Sequence, residues 1–82
     1  MERRNETLIA AFATTLRDRR ASVGMTQEAL AERADLSVRA VSFFETGKRQ
    51  PTLSALAAIS KGLGVSMGDL VSEVDRHFRK RE

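Results

Sequence analysis

The side chains best placed to act on another molecule share one face of a predicted helix in the middle of the chain. They are Val38, Arg39, Ser42 and Phe43. Residues three or four positions apart are neighbours on the surface of a helix. Val41 and Phe44 have that spacing on the opposite face, where they would fill a core. A helix that buries one face and presents a basic residue on the other can face the major groove of DNA.

The segment around this helix has the start and stop residues of two short helices joined by a turn. Thr26 is a favourable N-cap for the first helix, and Ser37 is a favourable N-cap for the second. Asp35 falls in the turn, where a positive φ is expected, and Asp tolerates that conformation better than most residues. Gly47 ends the second helix. This layout, at about residues 26–46, is typical of a helix-turn-helix.

Three further helices are predicted, and no segment has the alternation of a β-strand. The first runs from about Thr7 to Ser22, and its apolar positions are Ile9, Phe12, Ala13, Leu16 and Val23. The fourth helix opens at Pro51-Thr52, and its apolar positions are Leu53, Leu56, Ile59 and Leu63. The sequence therefore predicts an all-α fold, a compact five-helix domain that spans residues 1–82.

The fifth predicted helix, at about residues 66–80, carries more apolar side chains than a small core can bury. Leu70 is expected to pack in the core of the monomer. The side chains expected to extend beyond that core, and thus to form a dimer interface, are Val71, Val74 and Phe78. The alternative is that this stripe packs on the first helix, through Leu8, Ile9 and Phe12.

Composition argues against several classes of protein. The chain has 82 residues and a formal net charge of +3, from 14 basic and 11 acidic residues, with no cysteine and one histidine. Without Cys, and with His77 isolated, nucleophilic and metal chemistry lack their residues, so we expect no enzyme, no metal and no cofactor. No apolar run is long enough to span a membrane, and residues 1–12 lack a signal-peptide pattern. We expect a cytoplasmic protein with no membrane partner and no small-molecule ligand.

Four segments at fixed spacing resemble one known family. They are GMTQEALA (24–31), ADLS (34–37), VSFFETG (41–47) and LGVS (63–66), with a proline shortly after the third. From about Leu16 to Leu70 the chain resembles the Cro and phage-repressor helix-turn-helix regulators, also called the xenobiotic-response-element family. Its length and five predicted helices are also similar to the small controller proteins of restriction-modification systems. The resemblance implies a lambda-repressor-like DNA-binding domain that regulates transcription.

The resemblance also implies roles for individual residues. Those that match base-reading positions are Val38, Arg39, Ser42 and Phe43. Those that match phosphate-contacting positions are Thr26, Gln27, Lys48, Arg49 and Gln50. Arg20 and Glu45 match a buried ion pair that ties the first helix to the third.

Two of these reading positions depart from the polar residues that are common in the family. Val38 and Phe43 cannot form hydrogen bonds, although they can contact thymine methyl groups. Arg39 is then the strong reader, because Arg pairs bidentately with guanine. We expect one guanine per half-site, with thymine methyl groups beside it. For Phe43 the alternative is a place in a protein interface.

One recognition helix contacts too few base pairs to define a unique site. A two-fold dimer solves this by reading two half-sites about 34 Å apart. The sequence therefore predicts a homodimer that binds a palindromic operator in double-stranded DNA. The alternatives are an antitoxin that binds a partner protein and represses its own operon, and a helical scaffold without sequence preference on DNA.

Overall fold

The computed structural model describes residues 5–81. Within that range it contains five helices and no strand: α1 Glu6–Ser22, α2 Gln27–Ala34, α3 Val38–Glu45, α4 Leu53–Leu63 and α5 Met67–Arg81. The predicted all-α, five-helix order is confirmed. The expectation about a signal peptide rests partly on residues 1–4, which lie outside the described residues.

The helix boundaries follow from capping side chains that the sequence supplies. The side-chain oxygens of Thr26, Ser37 and Thr52 each accept a hydrogen bond from the backbone N–H three residues on, at 3.0 Å. These bonds satisfy N–H groups that a helix start leaves without partners. Ser66 caps α5 in the same way, through the N–H of Asp69 at 3.0 Å. Asp35, between α2 and α3, has the expected positive φ of 57°.

The core forms where α1 packs along α5 and α2 packs against α4, with α3 held between α1 and α2. The largest side chains without solvent exposure are Leu16, Leu30, Ile59, Leu70 and Val41. Phe12 on α1 meets Phe44 on α3 edge to face, with ring centroids 6.1 Å apart. This packing fixes the inner face of α3 and so decides which of its residues point outward.

Gly62 sets how closely α2 and α4 approach each other. A Cβ atom at this position would lie 2.9 Å from Leu30 Cδ1 and 3.2 Å from the backbone nitrogen of Ala34. Any larger side chain would push the two helices apart. A glycine inside a helix costs about 1 kcal/mol relative to alanine, and close packing explains why it is here.

Three apolar residues lie elsewhere than predicted. Val23 is 58% exposed, because it is the C-cap of α1 and falls after the helical stripe ends. Leu53 is 77% exposed, because it starts α4 on a turn that extends beyond the core. Val74 is only 7% exposed, because α5 lies along α1 and most of the apolar face of α5 packs against it. The expectation that Val74 extends beyond the monomer core is therefore wrong.

No helix between residues 5 and 81 combines the length and the apolar character that a membrane span requires.

Candidate nucleic-acid interface

Helix α3 has one face anchored in the protein and one face open to solvent. Val41, Phe44 and Glu45 are buried on the inner face. On the outer face Val38 and Arg39 are exposed, and Ser42 and Phe43 are half-buried. The structure thus brings the four predicted base-reading residues together on the accessible side of the helix.

The inner end of α3 is anchored by a buried carboxylate. Glu45 is 2% exposed, and its two oxygens accept from Arg20 Nε at 2.6 Å and from Arg20 Nη2 at 3.0 Å. Gln27 adds a third donor, with its amide nitrogen 3.0 Å from Glu45 Oε1. Arg20 also donates to the backbone carbonyl of Met25 at 2.8 Å. The Glu45 cluster, which comprises Arg20, Gln27 and Glu45, therefore joins α1, the start of α2 and the end of α3.

The contact with Glu45 favours the charged form of Arg20 still further. Its hydrogen bond to Glu45 raises the pKa of the Arg20 guanidinium above its ordinary value, while partial burial acts in the opposite direction. Arg17, one turn earlier on α1, donates to the backbone carbonyl of Glu45. A cation at that position also interacts favourably with the C-terminal end of the α3 dipole.

The loop after α3 brings further basic residues beside the open face. Lys48, Arg49 and Gln50 are all exposed. The backbone N–H groups of Lys48 and Arg49 donate to the carbonyl of Phe43, at 2.9 and 3.3 Å. These bonds fold the loop back onto the end of α3, so its side chains border the same surface.

Charge on this surface is almost entirely positive. Between residues 38 and 50 the sequence contains one acidic residue, Glu45, and that carboxylate is buried and paired with Arg20. Arg39, Lys48 and Arg49 are exposed. No ion pair to a carboxylate involves these three basic residues within the described part of the chain. Their charge is available to a polyanion.

Two of the predicted phosphate-contacting residues also have structural contacts. Thr26 is exposed at the start of α2, where its hydroxyl oxygen accepts from the N–H of Ala29. Gln27 is half-buried and uses one amide hydrogen on Glu45. Both residues lie at the N-terminus of a helix, a place that favours anions. Their phosphate contacts stay predictions.

Away from α3, the helices α1 and α5 are joined by polar contacts that the sequence did not indicate. Arg19 and Glu73 form a two-point ion pair, at 2.8 Å from Nε and 2.7 Å from Nη2. His77 Nδ1 lies 2.7 Å from the hydroxyl of the buried Thr15. His77 is half-buried, and its contact with Thr15 joins α5 to α1. Among the described residues no group of His, Cys, Asp or Glu could hold a metal ion.

The three predicted dimer residues do not have equal access to a partner. Val71 is 45% exposed. Phe78 packs partly against the core, and Val74 belongs to it. Val71 and Leu8, which is also exposed, line the same apolar cleft between α5 and α1.

The anchored and open faces of α3, with the basic loop beside it, define a helix-turn-helix protein. The sequence model of the helix-turn-helix family matches residues 16–70. Control protein C.MunI from Mycoplasma sp. is 34% identical over 58 residues, which are 71% of this chain and 78% of that protein. The chain therefore belongs to the Cro/phage-repressor type of helix-turn-helix regulators.

Solved structures of a controller protein match the whole architecture. The wild-type restriction-modification controller protein C.Esp1396I is 30% identical, with a TM-score of 0.82, over 89% of this chain and 95% of that one. A second structure shows the C.Esp1396I tetramer in complex with its natural 35 base-pair operator. It is 29% identical, with a TM-score of 0.82, over 88% of this chain and 95% of that one.

Proposed function

We propose that this protein is a transcriptional regulator that binds double-stranded DNA at a palindromic operator as a homodimer, with α3 in the major groove. The observation that carries the proposal is the division of α3 into two faces. The Glu45 cluster and the apolar core fix the inner face, while the outer face presents Arg39, which is paired with no carboxylate between residues 5 and 81.

Direct reading of bases is assigned to the exposed end of this face. The guanidinium fork of Arg39 matches the O6 and N7 acceptors of guanine in the major groove. Val38 is apolar and exposed beside it, and it suits a thymine methyl group. Ser42 comes four positions after Val38, and therefore lies on the same face of α3.

Phosphate contacts are assigned to the rim of this surface. Lys48, Arg49 and Gln50 extend from the loop after α3, and Thr26 and Gln27 lie at the start of α2. Such contacts position a protein on the duplex, although they carry no sequence information. They also make the affinity fall steeply with salt.

Two copies of the chain are proposed because one α3 covers only a few base pairs. The related C.Esp1396I binds its operator as a tetramer, which supports binding by more than one copy here. The proposed contact between copies is the exposed apolar surface of α5 and α1. Its proposed centre is Val71 with Leu8, which line one apolar cleft, and Phe78, two turns further along α5, is a second proposed contact.

Selection from a pool of random duplexes at about 150 mM salt tests the DNA-binding proposal, since random DNA competes at that ionic strength. We expect an enriched palindrome with one guanine in each half-site and half-sites about one helical turn apart. A pool with no enriched sequence would contradict the proposal.

A Val71→Asp substitution tests the proposed contact between copies. Val71 is exposed in the monomer, so a charge there blocks association with little effect on the core. We expect sedimentation to show a monomer for this variant and a dimer for Ser72→Asp, which places the same charge on the neighbouring exposed residue. A Val71→Asp protein that remains dimeric would place the interface elsewhere. Phe78→Asp is a less direct test, because Phe78 also packs on the core.

A further inference from the structure

Phe43 differs from the other outward residues of α3 in what it contacts. The guanidinium carbon of Arg39 lies over its ring, 5.2 Å from the ring centroid. The guanidinium carbon of Arg49 lies over the same ring, at 5.1 Å. One aromatic side chain thus contacts a cation on α3 and a cation in the following loop.

We propose that Phe43 is a positioning residue that holds Arg39 and Arg49 on one ring and so couples base reading to phosphate contact. This inference rests on the proposed function, and it goes further by assigning a specificity role to a residue that need not touch DNA. It also changes the role expected for Phe43 from its position alone, which was direct contact with a thymine methyl group.

The chemistry of the contact explains why a ring suits this task. A guanidinium that lies over an aromatic face is attracted by the electron density of the ring. That attraction does not use its five N–H donors, which remain available for guanine or phosphate. A carboxylate partner would use those donors, as Glu45 does with Arg20.

Holding the two side chains also lowers the entropic cost of binding. A long arginine side chain loses rotamer freedom when it is fixed against DNA. A ring that already restricts Arg39 and Arg49 in the free protein removes part of that loss. The backbone geometry supports the arrangement, because the N–H of Arg49 donates to the carbonyl of Phe43 and keeps the loop beside the ring.

Replacement of the ring by an aliphatic side chain tests the proposal. Phe43→Leu keeps an apolar side chain but removes the aromatic face, and Phe43→Tyr keeps the face. Fixing one long side chain against DNA costs about two- to tenfold in affinity, and the ring removes part of that cost for each arginine. With two arginines in each of two protomers, we expect Phe43→Leu to lose about tenfold in operator affinity. Phe43→Tyr should recover most of that loss, and discrimination at the guanine read by Arg39 should fall only in the leucine variant.

The same leucine substitution in an Arg39→Ala/Arg49→Ala background separates positioning from direct reading. A positioning residue has nothing left to position there, so Phe43→Leu should then change affinity less than about twofold. If Phe43 instead contacts a thymine methyl group, its loss persists in that background and maps to one A·T pair. That result would overturn the proposal.

A readout without DNA keeps this inference separate from the proposed function. In the free protein the ring should shift the Cδ proton resonances of Arg39 and Arg49, and Phe43→Leu should abolish both shifts. If the wild type enriches no operator, the proposed function fails. The coupling is then judged on these resonances and on random duplexes, where Phe43→Leu should weaken binding only while Arg49 is present. Absence of the shifts in the wild type overturns the coupling whatever the DNA result.

Discussion

Arginines on two sides of this molecule use their donors in opposite ways. On α1, Arg19 and Arg20 donate hydrogen bonds to carboxylates of the protein, Glu73 and Glu45. On the open side of α3, Arg39 and Arg49 lie over the ring of Phe43 and are joined to no carboxylate within the described residues. One set joins helices within the protein, and the other set keeps its N–H donors off carboxylates.

The position of the acidic residues says more about this surface than the net charge does. The formal charge of +3 is small for a protein proposed to bind DNA. Glu73 neutralises part of the α1 and α5 surface, and Glu45 is buried against Arg20. On the α3 side Arg39, Lys48 and Arg49 have no carboxylate partner among residues 5–81, so their charge can attract phosphates.

Among the predictions, removal of the Glu45 carboxylate should have the greatest effect, and that effect is on stability. Glu45→Ala leaves Arg20 and Gln27 without their shared acceptor, and loss of one partner from a buried pair costs about 3–5 kcal/mol. We expect a loss of about 3 kcal/mol in the free energy of unfolding, near the lower end of that range, because Arg20 can still reach water. Urea unfolding followed by circular dichroism measures it.

Glu32→Ala is the matched control, because Glu32 is exposed on α2. It should change the free energy of unfolding by less than about 0.5 kcal/mol. Equal unfolding midpoints for Glu45→Ala and Glu32→Ala would show that the Glu45 cluster does not hold the framework.

The next largest effect is on DNA binding and leaves stability nearly unchanged. Arg39→Ala should weaken binding to the selected operator by about 1–3 kcal/mol and relax the preference for guanine. It should lower the free energy of unfolding by no more than about 1 kcal/mol, since Arg39 is exposed and loses only its contact with the ring of Phe43. Arg76→Ala, which removes the same charge from an exposed place on α5, is the control. Equal losses on operator and random DNA would refute base reading by Arg39.

A smaller effect distinguishes a phosphate contact from a base contact. Lys48→Ala should weaken binding to all duplexes alike. It should also lower the slope of log affinity against log salt by about 0.9 for each lost contact. Lys80→Ala removes the same charge from α5 and should leave the slope unchanged. A loss confined to the operator would instead make Lys48 a base reader.

The framework was largely predictable because its determinants are local in sequence. Capping by Thr26 and Ser37 and the positive φ of Asp35 depend on residues within one turn, so the sequence sufficed. The Arg20–Glu45 pair spans 25 positions, and it was expected only because the chain resembles a known family. The hydrogen bond from Gln27 to the same carboxylate was not predicted, because it depends on how α1, α2 and α3 pack together.

Contacts between helices that are distant in sequence could not be predicted from sequence patterns. An apolar stripe shows that Val74 and Val71 share a face of α5, but the angle against α1 decides that only Val74 is buried. A glycine inside a helix needs a packing reason, so Gly62 could have indicated the close approach of α2 and α4. The ring contacts of Phe43 gave no such signal, because Arg49 reaches it from a loop whose path depends on the end of α3.

The least destabilising change should be loss of the Arg19–Glu73 pair. Its comparison with the Arg20–Glu45 pair tests whether solvent exposure lowers the contribution of an ion pair to stability. The Arg19 and Glu73 side chains are 32% and 21% exposed, compared with 3% for Glu45. Solvent therefore screens the Arg19–Glu73 pair, although its hydrogen bond raises the pKa of Arg19. After Arg19→Ala, Glu73 also keeps Arg76 within 3.7 Å. We expect Arg19→Ala to lower the unfolding midpoint less than Arg20→Ala, with a difference from wild type that shrinks at 1 M salt. Equal destabilisation by the two variants, unaffected by salt, would mean that burial of the carboxylate is not what separates them.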